Sequence, residues 1–238
     1  MRSKLKFSLN GLFYIYTKNL NKPFYIEICK QELWLLPEKA IYWPAQKMLI
    51  ISDPHLGKAG HFRKSGIAIP QSVFLHDLQK LFTLIQNTQC ETLLVSGDFF
   101  HSVENKELEL FTKWRNDFSS LKIKLIMGNH DILSEKSYKR SGIECIENSY
   151  QTDELFFIHD CEKISKESIG YGFCGHIHPG VRISSKAKQS IVLPCFHFTK
   201  QYCIMPAFSA FAGAVPVRKK EGDRIIAVAK NTLIEITS

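Results

Sequence analysis

The sequence has no apolar run of the length needed to cross a bilayer as a helix, so a helical membrane span is not expected. It also has no Cys-x-x-Cys pair. Its seven cysteines (Cys29, Cys90, Cys145, Cys161, Cys174, Cys195 and Cys203) are odd in number, and several sit inside apolar runs, where a free thiol packs as a small hydrophobe. The expectation is reduced thiols in a reducing compartment, with neither a disulfide framework nor a thiolate zinc site. Arg2, Lys4 and Lys6 mimic the charged start of a signal peptide. The apolar stretch behind them is short, is broken by Asn10 and Gly11, and ends without a small-residue cleavage site. A cytoplasmic location is expected. With 13 Gly and 9 Pro in 238 residues the chain is not of disordered composition, and no repeat or low-complexity linker divides it. Residues 1–238 are therefore expected to fold as a single domain. What the chain does have is positive charge, +8 formally, with a pI near 9.1. That suits a polyanionic partner such as nucleic acid. A merely basic surface is the plainer alternative, because the lysines are scattered.

The other conspicuous feature is a recurring strand end. Met48 to Ile51 reads as a buried strand and runs into Ser52-Asp53-Pro54-His55-Leu56-Gly57. Alternate side chains of an extended chain share a face, so Asp53 and His55 are expected to converge just past the strand. Alone, Asp-x-His is a weak signal, as easily a helix cap beside an incidental His. Thr92 to Ser96, however, ends in Gly97-Asp98-Phe99-Phe100-His101, and Lys124 to Met127 ends in Gly128-Asn129-His130-Asp131. Leu155 to Ile158 ends in His159, and Gly170 to Cys174 ends in Gly175-His176-Ile177-His178. Five predicted strands each deliver Asp, Asn or His at the same end, where α/β folds place their sites.

Between these strands the spacing predicts helices. Phe74, Leu75, Leu78, Leu81, Phe82 and Ile85 form one apolar stripe, with His76 off it on the surface; Leu108, Phe111, Trp114 and Phe118 form another. The result is β-α-β-α-β, a parallel sheet with crossover helices. Residues 1–46 are aromatic and β-branched, with Asn10-Gly11 as a hairpin turn, and read as an N-terminal β extension. Beyond one short helix near Ser134 to Arg140, strands dominate to the end, with a turn at Lys230-Asn231, which implies a second, largely antiparallel sheet.

Two Asp, one Asn and at least four His make a mixed nitrogen and oxygen donor set that suits Mn, Fe or Zn and suits Mg or Ca poorly. It is too large for one ion with open positions. It fits two ions about 3.5–4 Å apart, sharing a carboxylate, an arrangement that activates a water for in-line attack on a phosphoester.

At this point Asp53-x-His55, Gly97-Asp98-x-x-His101, Gly128-Asn129-His130-Asp131, His159 and Gly175-His176-x-His178 resemble the calcineurin-like metallophosphoesterases over roughly residues 48 to 180. The resemblance implies a four-layer αββα sandwich. It implies Asp53, His55 and His178 as ligands of one ion, Asn129, His159 and His176 as ligands of the other, and Asp98 as the bridge. It also implies His130 as the residue that stabilises the transition state or protonates the leaving oxygen, oriented by Asp131.

A narrower resemblance lies in Asp53-Pro54-His55-Leu56-Gly57-Lys58, His61-Phe62-Arg63-Lys64, Gly66 to Pro70, Leu193-Pro194-Cys195-Phe196 and Pro206-Ala207-Phe208. These look like the bacterial DNA ligase-associated metallophosphoesterases. That implies a manganese-dependent DNA phosphodiesterase of the DNA damage response, encoded near a DNA ligase and a helicase and functionally associated with them; single-stranded DNA or frayed ends are the expected substrate. Pro54, Ser209 and Ala212 depart from that pattern, where Leu, Gly and Thr are expected. Lys58, His61 and Arg63 can reach phosphates at the rim of the crevice, and His101 is expected at the substrate or behind a ligand. Phe99 and Phe100 are expected in the core, and His197 matches nothing. Two alternatives stand beside the nuclease: a small-molecule phosphomonoesterase or nucleotide phosphodiesterase on the same site, and a non-catalytic interaction module on the same fold.

Overall fold

The computed structural model describes residues 22–57, 72–100, 106–152, 154–165, 168–184 and 189–237. The first sheet has seven strands in chain order: β1 (Phe24–Ile28), β2 (Gln31–Leu36), β3 (Ala40–Trp43), β4 (Met48–Ser52), β5 (Thr92–Ser96), β6 (Lys122–Ile126) and β7 (Ile143–Ile146). β1 to β4 pair antiparallel, and β4 to β7 pair parallel through crossovers carrying α1 (Ser72–Thr88), α2 (Lys106–Asn116) and α3 (Glu135–Arg140). The alternation read from the sequence is present, and the described part of the N-terminal extension continues this sheet. The turn between β1 and β2 is Cys29-Lys30, both at positive φ, as a two-residue hairpin requires. The expected Asn10-Gly11 hairpin lies outside the described residues.

The second sheet contains β8 (Ser149–Thr152), β9 (Leu155–Ile158), β10 (Tyr171–Cys174), β11 (Pro179–Ser184), β12 (Ser190–Phe198), β13 (Tyr202–Ile204) and β14 (Val215–Pro216), ordered β14-β11-β12-β13-β10-β9-β8. β15 (Arg224–Ala229) pairs with β12 and with β16 (Thr232–Glu235). Antiparallel pairs outnumber parallel ones, but β9, β10 and β13 run parallel to one another.

Side-chain alternation explains why the central strands read as unbroken apolar runs. Leu49, Ile51, Leu93, Val95, Ile123 and Leu125 face the helices, packing on Phe74, Leu78, Leu81, Phe111 and Trp114. Met48, Ile50, Leu94 and Ile126 face the second sheet, packing on Leu155, Phe157, Phe173 and Phe196. Both faces of the sheet are covered, so no polar alternation survives. Each such fully buried side chain contributes about 1.5–3 kcal/mol. Phe99 and Phe100 belong to the helix-side core, as expected. Leu75 does not: it is exposed, a step of 100° off the stripe, and Leu84 is buried instead.

The molecule is thus a sandwich of two mixed sheets flanked by few helices. All three described α-helices contribute to the core on the outer side of the first sheet. On the outer face of the second sheet a 3-10 turn, Cys161–Lys163, covers Cys174 and Ile204. Here the expectation of free thiols needs correction, because Cys161 and Cys174 are joined by a disulfide. β9 and β10 lie side by side, so the residue at the end of one and the turn after the other meet with Cα atoms 5.5 Å apart. Spacing along the sequence cannot reveal such a pairing. No helix among the described residues is long and apolar enough to cross a membrane.

One buried polar network ties the chain after β13 to α1. The Asp77 carboxylate accepts from Ser209 Oγ at 3.0 Å and from the Ala210 N–H at 3.2 Å, and lies 3.6 Å from Lys80 Nζ. Lys80 donates to the Phe208 carbonyl and sits 3.6 Å from the centroid of the Phe208 ring. Lys39 donates to the Ser209 carbonyl at 2.8 Å. Burial, with Lys80 adding and Asp77 opposing, pushes the Lys39 ammonium down to about 8. Removing Asp77 takes the buried carboxylate away from two partly buried lysines. Asp77→Ala is expected to lower the unfolding free energy by about 3 kcal/mol in urea titration, and a loss below about 1 kcal/mol would contradict the network's weight. Between pH 8 and 10.5 the unfolded chain holds the Lys39 proton that the folded chain has released. Wild-type stability should therefore gain relative to Lys39→Gln as pH rises through that window.

Candidate metal centre

The strand ends converge by an unexpected device. Asp53 and His55 lie beyond the last residue of β4, and both have left-handed backbones, with φ of 49° and 44°. Asp98, His176 and His178 are left-handed too, at 52°, 68° and 52°. These five are among only eleven non-glycine residues with positive φ in the described chain. Convergence is produced by kinks, each costing about 1–3 kcal/mol, and not by alternation along an extended strand. The surrounding backbone pins the kinks: the His55 N–H donates to the Asp98 carbonyl at 2.9 Å, and the Leu56 N–H donates to the Phe99 carbonyl at 2.8 Å.

Two clusters result. Asp53, His55 and His178 form one, and Asp98, His159 and His176 form the other; within each, the donor atoms lie within 4.8 Å of one another. In the first, His55 Nε2 and His178 Nε2 are 3.2 Å apart, and His178 Nε2 is 3.5 Å from Asp53 Oδ1. In the second, His159 Nε2 is 3.2 Å from His176 Nδ1, 3.6 Å from Asp98 Oδ1 and 3.1 Å from Asn129 Oδ1. Asp98 faces both clusters, since its Oδ2 lies 3.9 Å from His55 Nε2.

This chemistry fits cations. Unprotonated imidazole nitrogens would present lone pairs as carboxylate oxygens do, and one shared proton relieves a pair of such groups but not a three-way group. Donors spaced this way suit an ion bonded at about 2.0–2.2 Å. Burial works against charge on Asp53, yet the His178 hydrogen bond, the His159 and His178 charges and the Ser52 hydroxyl together hold its carboxyl below the ordinary range. The His176 N–H adds contacts of 3.2 and 3.0 Å to its two oxygens.

His130 and Asp131 lie beside the clusters, in different settings. His130 is exposed, its ring centroid 5.8 Å from that of His55, and its N–H donates to Asp98 Oδ1 at 3.0 Å. Asp131 is buried and accepts from the N–H groups of Phe99 at 2.8 Å, Phe100 at 3.3 Å and Gly128 at 2.9 Å, and from Tyr138 Oη at 3.4 Å. Burial pushes its carboxyl up, with the Gly128 and Phe100 donors pulling it back and the Asp98 charge adding to the rise. It laces the loop after β5 to the loop after β6. Lys58, His61, Arg63, Lys64 and His101 lie outside the described residues. His197 is remote from the clusters and bonded to Asp223 at 2.7 Å, a pairing for which the sequence carries no signal.

Sequence reasoning also missed what the glycines do. A Cβ on Gly97, which has φ of 81°, would overlap the His159 ring, and one on Gly175 would overlap Ser52 Oγ and Asp53 Oδ2. Each glycine precedes one site residue and makes room for another delivered by a different strand. Their places in the Gly-Asp and Gly-His motifs were the available signal.

The model of the calcineurin-like phosphoesterase family matches residues 46–198, which include every residue of both clusters. The chain is a calcineurin-like phosphoesterase. Among solved structures it is similar to the Pseudomonas putida nuclease MPE, with a TM-score of 0.76 and 27% sequence identity over 90% of this chain and 100% of that one. No curated protein matches it. This phosphoesterase is therefore a metal-dependent enzyme, with two candidate sites for divalent ions.

Gly97→Ala is expected to weaken divalent-ion binding at the Asp98–His159–His176 cluster by about 10–100-fold, read by metal titration of the purified protein. Unchanged affinity would show that the His159 ring does not depend on that space.

Proposed function

We propose that this phosphoesterase is a two-metal phosphodiesterase that cleaves DNA, with single strands preferred. The observation that carries the two-ion reading is Asp98, whose two oxygens face one cluster each. Asp53, His55 and His178 would hold one ion and Asn129, His159 and His176 the other, with Asp98 shared. When bound, the ions would activate a water and offset the negative charge that develops on the phosphoryl group. The donors suit Mn, with Fe or Zn as alternatives.

The residues of the chain do the rest. The exposed imidazole of His130, held beside His55 by its backbone bond to Asp98, gives a proton to the departing oxygen as the P–O bond breaks. Asp131 acts on His130 by fixing the loop from which it projects. Lys58, His61, Arg63 and His101, which lie outside the described residues, are assigned to substrate binding from the sequence. DNA as substrate is supported by the likeness to a nuclease along that protein's whole length and by the +8 charge. A place in DNA repair beside a ligase and a helicase follows from the narrower sequence resemblance. We read residues 1–238 as one domain, since β1 to β3 continue the sheet that carries the site.

A second reading, a nucleotide phosphodiesterase, draws on a cavity of about 330 Å³ whose lining includes His159, Phe156 and Ile158. That volume takes one small ligand and not a length of strand.

With Mn, the wild type should nick circular single-stranded DNA. His130→Ala should lose about 10²–10⁴-fold in kcat while keeping its metal. Undiminished hydrolysis by that variant would remove His130 from the chemistry. Nucleotide hydrolysis without nicking would favour the second reading.

A further inference from the structure

Of the seven cysteines, Cys29, Cys90, Cys145, Cys195 and Cys203 are free thiols, and only Cys161 and Cys174 are joined. Those two are also the cysteines placed beside the metal centre. Cys161 follows His159 by two residues, and Cys174 precedes His176 by two. The bond therefore links the two segments that deliver the histidines of the Asp98–His159–His176 cluster. The register of β9 on β10 ends at Phe157 and Phe173. Beyond it the segments are tied by the Gly175 N–H, which donates to the His159 carbonyl at 2.9 Å, and by the disulfide. Cys174 is the fixed partner, since the Met205 N–H, just past β13, donates to its carbonyl at 2.7 Å. Cys161 is held to it from a turn of three residues.

Among the described residues little else covers this side. The buried apolar members beneath the turn are Cys161, Cys174 and Ile204, whereas helices seal the outer side of the first sheet. His176 is the exposed member of its cluster, so its place follows that of the chain leaving Cys174. The other cluster is anchored differently. Asp53 and His55 follow β4, which is buried throughout, and the Val215 N–H donates to the His178 carbonyl at 2.8 Å.

We propose that the Cys161–Cys174 disulfide is the positioning element of the Asp98–His159–His176 ion site, and that its reduction weakens that site while sparing the other. The inference rests on the two-ion reading above and adds a redox state to one half of the centre. Reduction by a dithiol breaks the S–S bond, passes two electrons and two protons to the protein sulfurs, and leaves the reductant as its disulfide. Oxidised glutathione reverses this by thiol–disulfide exchange, releasing two glutathione thiols. Glu162 and Lys163, the other residues of the turn, are exposed, so local opening of that turn admits the reagent. Where a compartment keeps thiols reduced, a bond of this kind is transient or sensing and not a permanent staple.

The test is calorimetric titration of the metal-free full chain with Mn, after treatment with oxidised glutathione or with dithiothreitol and removal of the reagent under nitrogen. Thiols counted after denaturation should rise from five to seven on reduction. The oxidised protein should bind two ions. The reduced protein should hold one ion within about twofold of that affinity and the other about 10–100-fold more weakly, with recovery on reoxidation. The Cys161→Ser/Cys174→Ser variant should match the reduced wild type and ignore both reagents. Equal binding of both ions in the two states, or an equal loss at both sites, would overturn the inference alone, as would a thiol count that neither reagent changes. An oxidised wild type that takes up a single ion would overturn the two-ion reading, and this inference with it.

Discussion

Asp98 is the constraint on which the arrangement depends. It is buried at the end of β5, its two oxygens turned toward the imidazoles of His55, His159 and His176 from three different segments, and its carbonyl and carboxylate receive the N–H groups of His55 and His130. A carboxylate so placed is stable only if positive charge meets it from both sides. The two donor clusters are the means of holding that charge, and the sandwich is the means of bringing the clusters to one carboxylate.

The cost of that convergence is visible in the backbone. Five residues of the two clusters occupy left-handed conformations, and Gly97 and Gly175 give up their side chains so that His159 and Asp53 can sit against them. These strains are tolerable because the strands behind them are sealed on both faces, with Leu49, Ile51, Leu93 and Val95 on one side and Ile50 and Leu94 on the other. Asp131 and the Asp77 network then fix the loops that the strands cannot reach, one on each side of the centre. The molecule concentrates strain at the mouth and rigidity beneath it.

Much of this was legible in the residues. The parallel strands announced themselves as apolar runs because both faces are buried, and each ended in a residue type that carries a lone pair. Asp53, His55, Asp98, Asn129, His159, His176 and His178 do come together, including His159, whose motif is a single residue. What stayed hidden depends on neighbours distant in sequence. Cys161 and Cys174 meet because β9 and β10 are parallel neighbours, and His197 meets Asp223 across β12 and the turn before β15. Leu75 looked like a stripe residue because a stripe's edge depends on what packs there. The turn at Cys29-Lys30 lacks the residues that usually mark one. The positive φ values at the site are hidden for a related reason, since Asp and His adopt them only where the surroundings insist.

The most direct test of the account is calorimetric titration of metal-free protein with Mn, comparing the wild type with Asp98→Asn. If one carboxylate serves both clusters, the wild type takes up two ions per chain and the variant loses affinity for both. A wild type that binds a single ion, or a variant that loses one ion while the other binds as before, would contradict the claim that Asp98 joins the two halves of the centre.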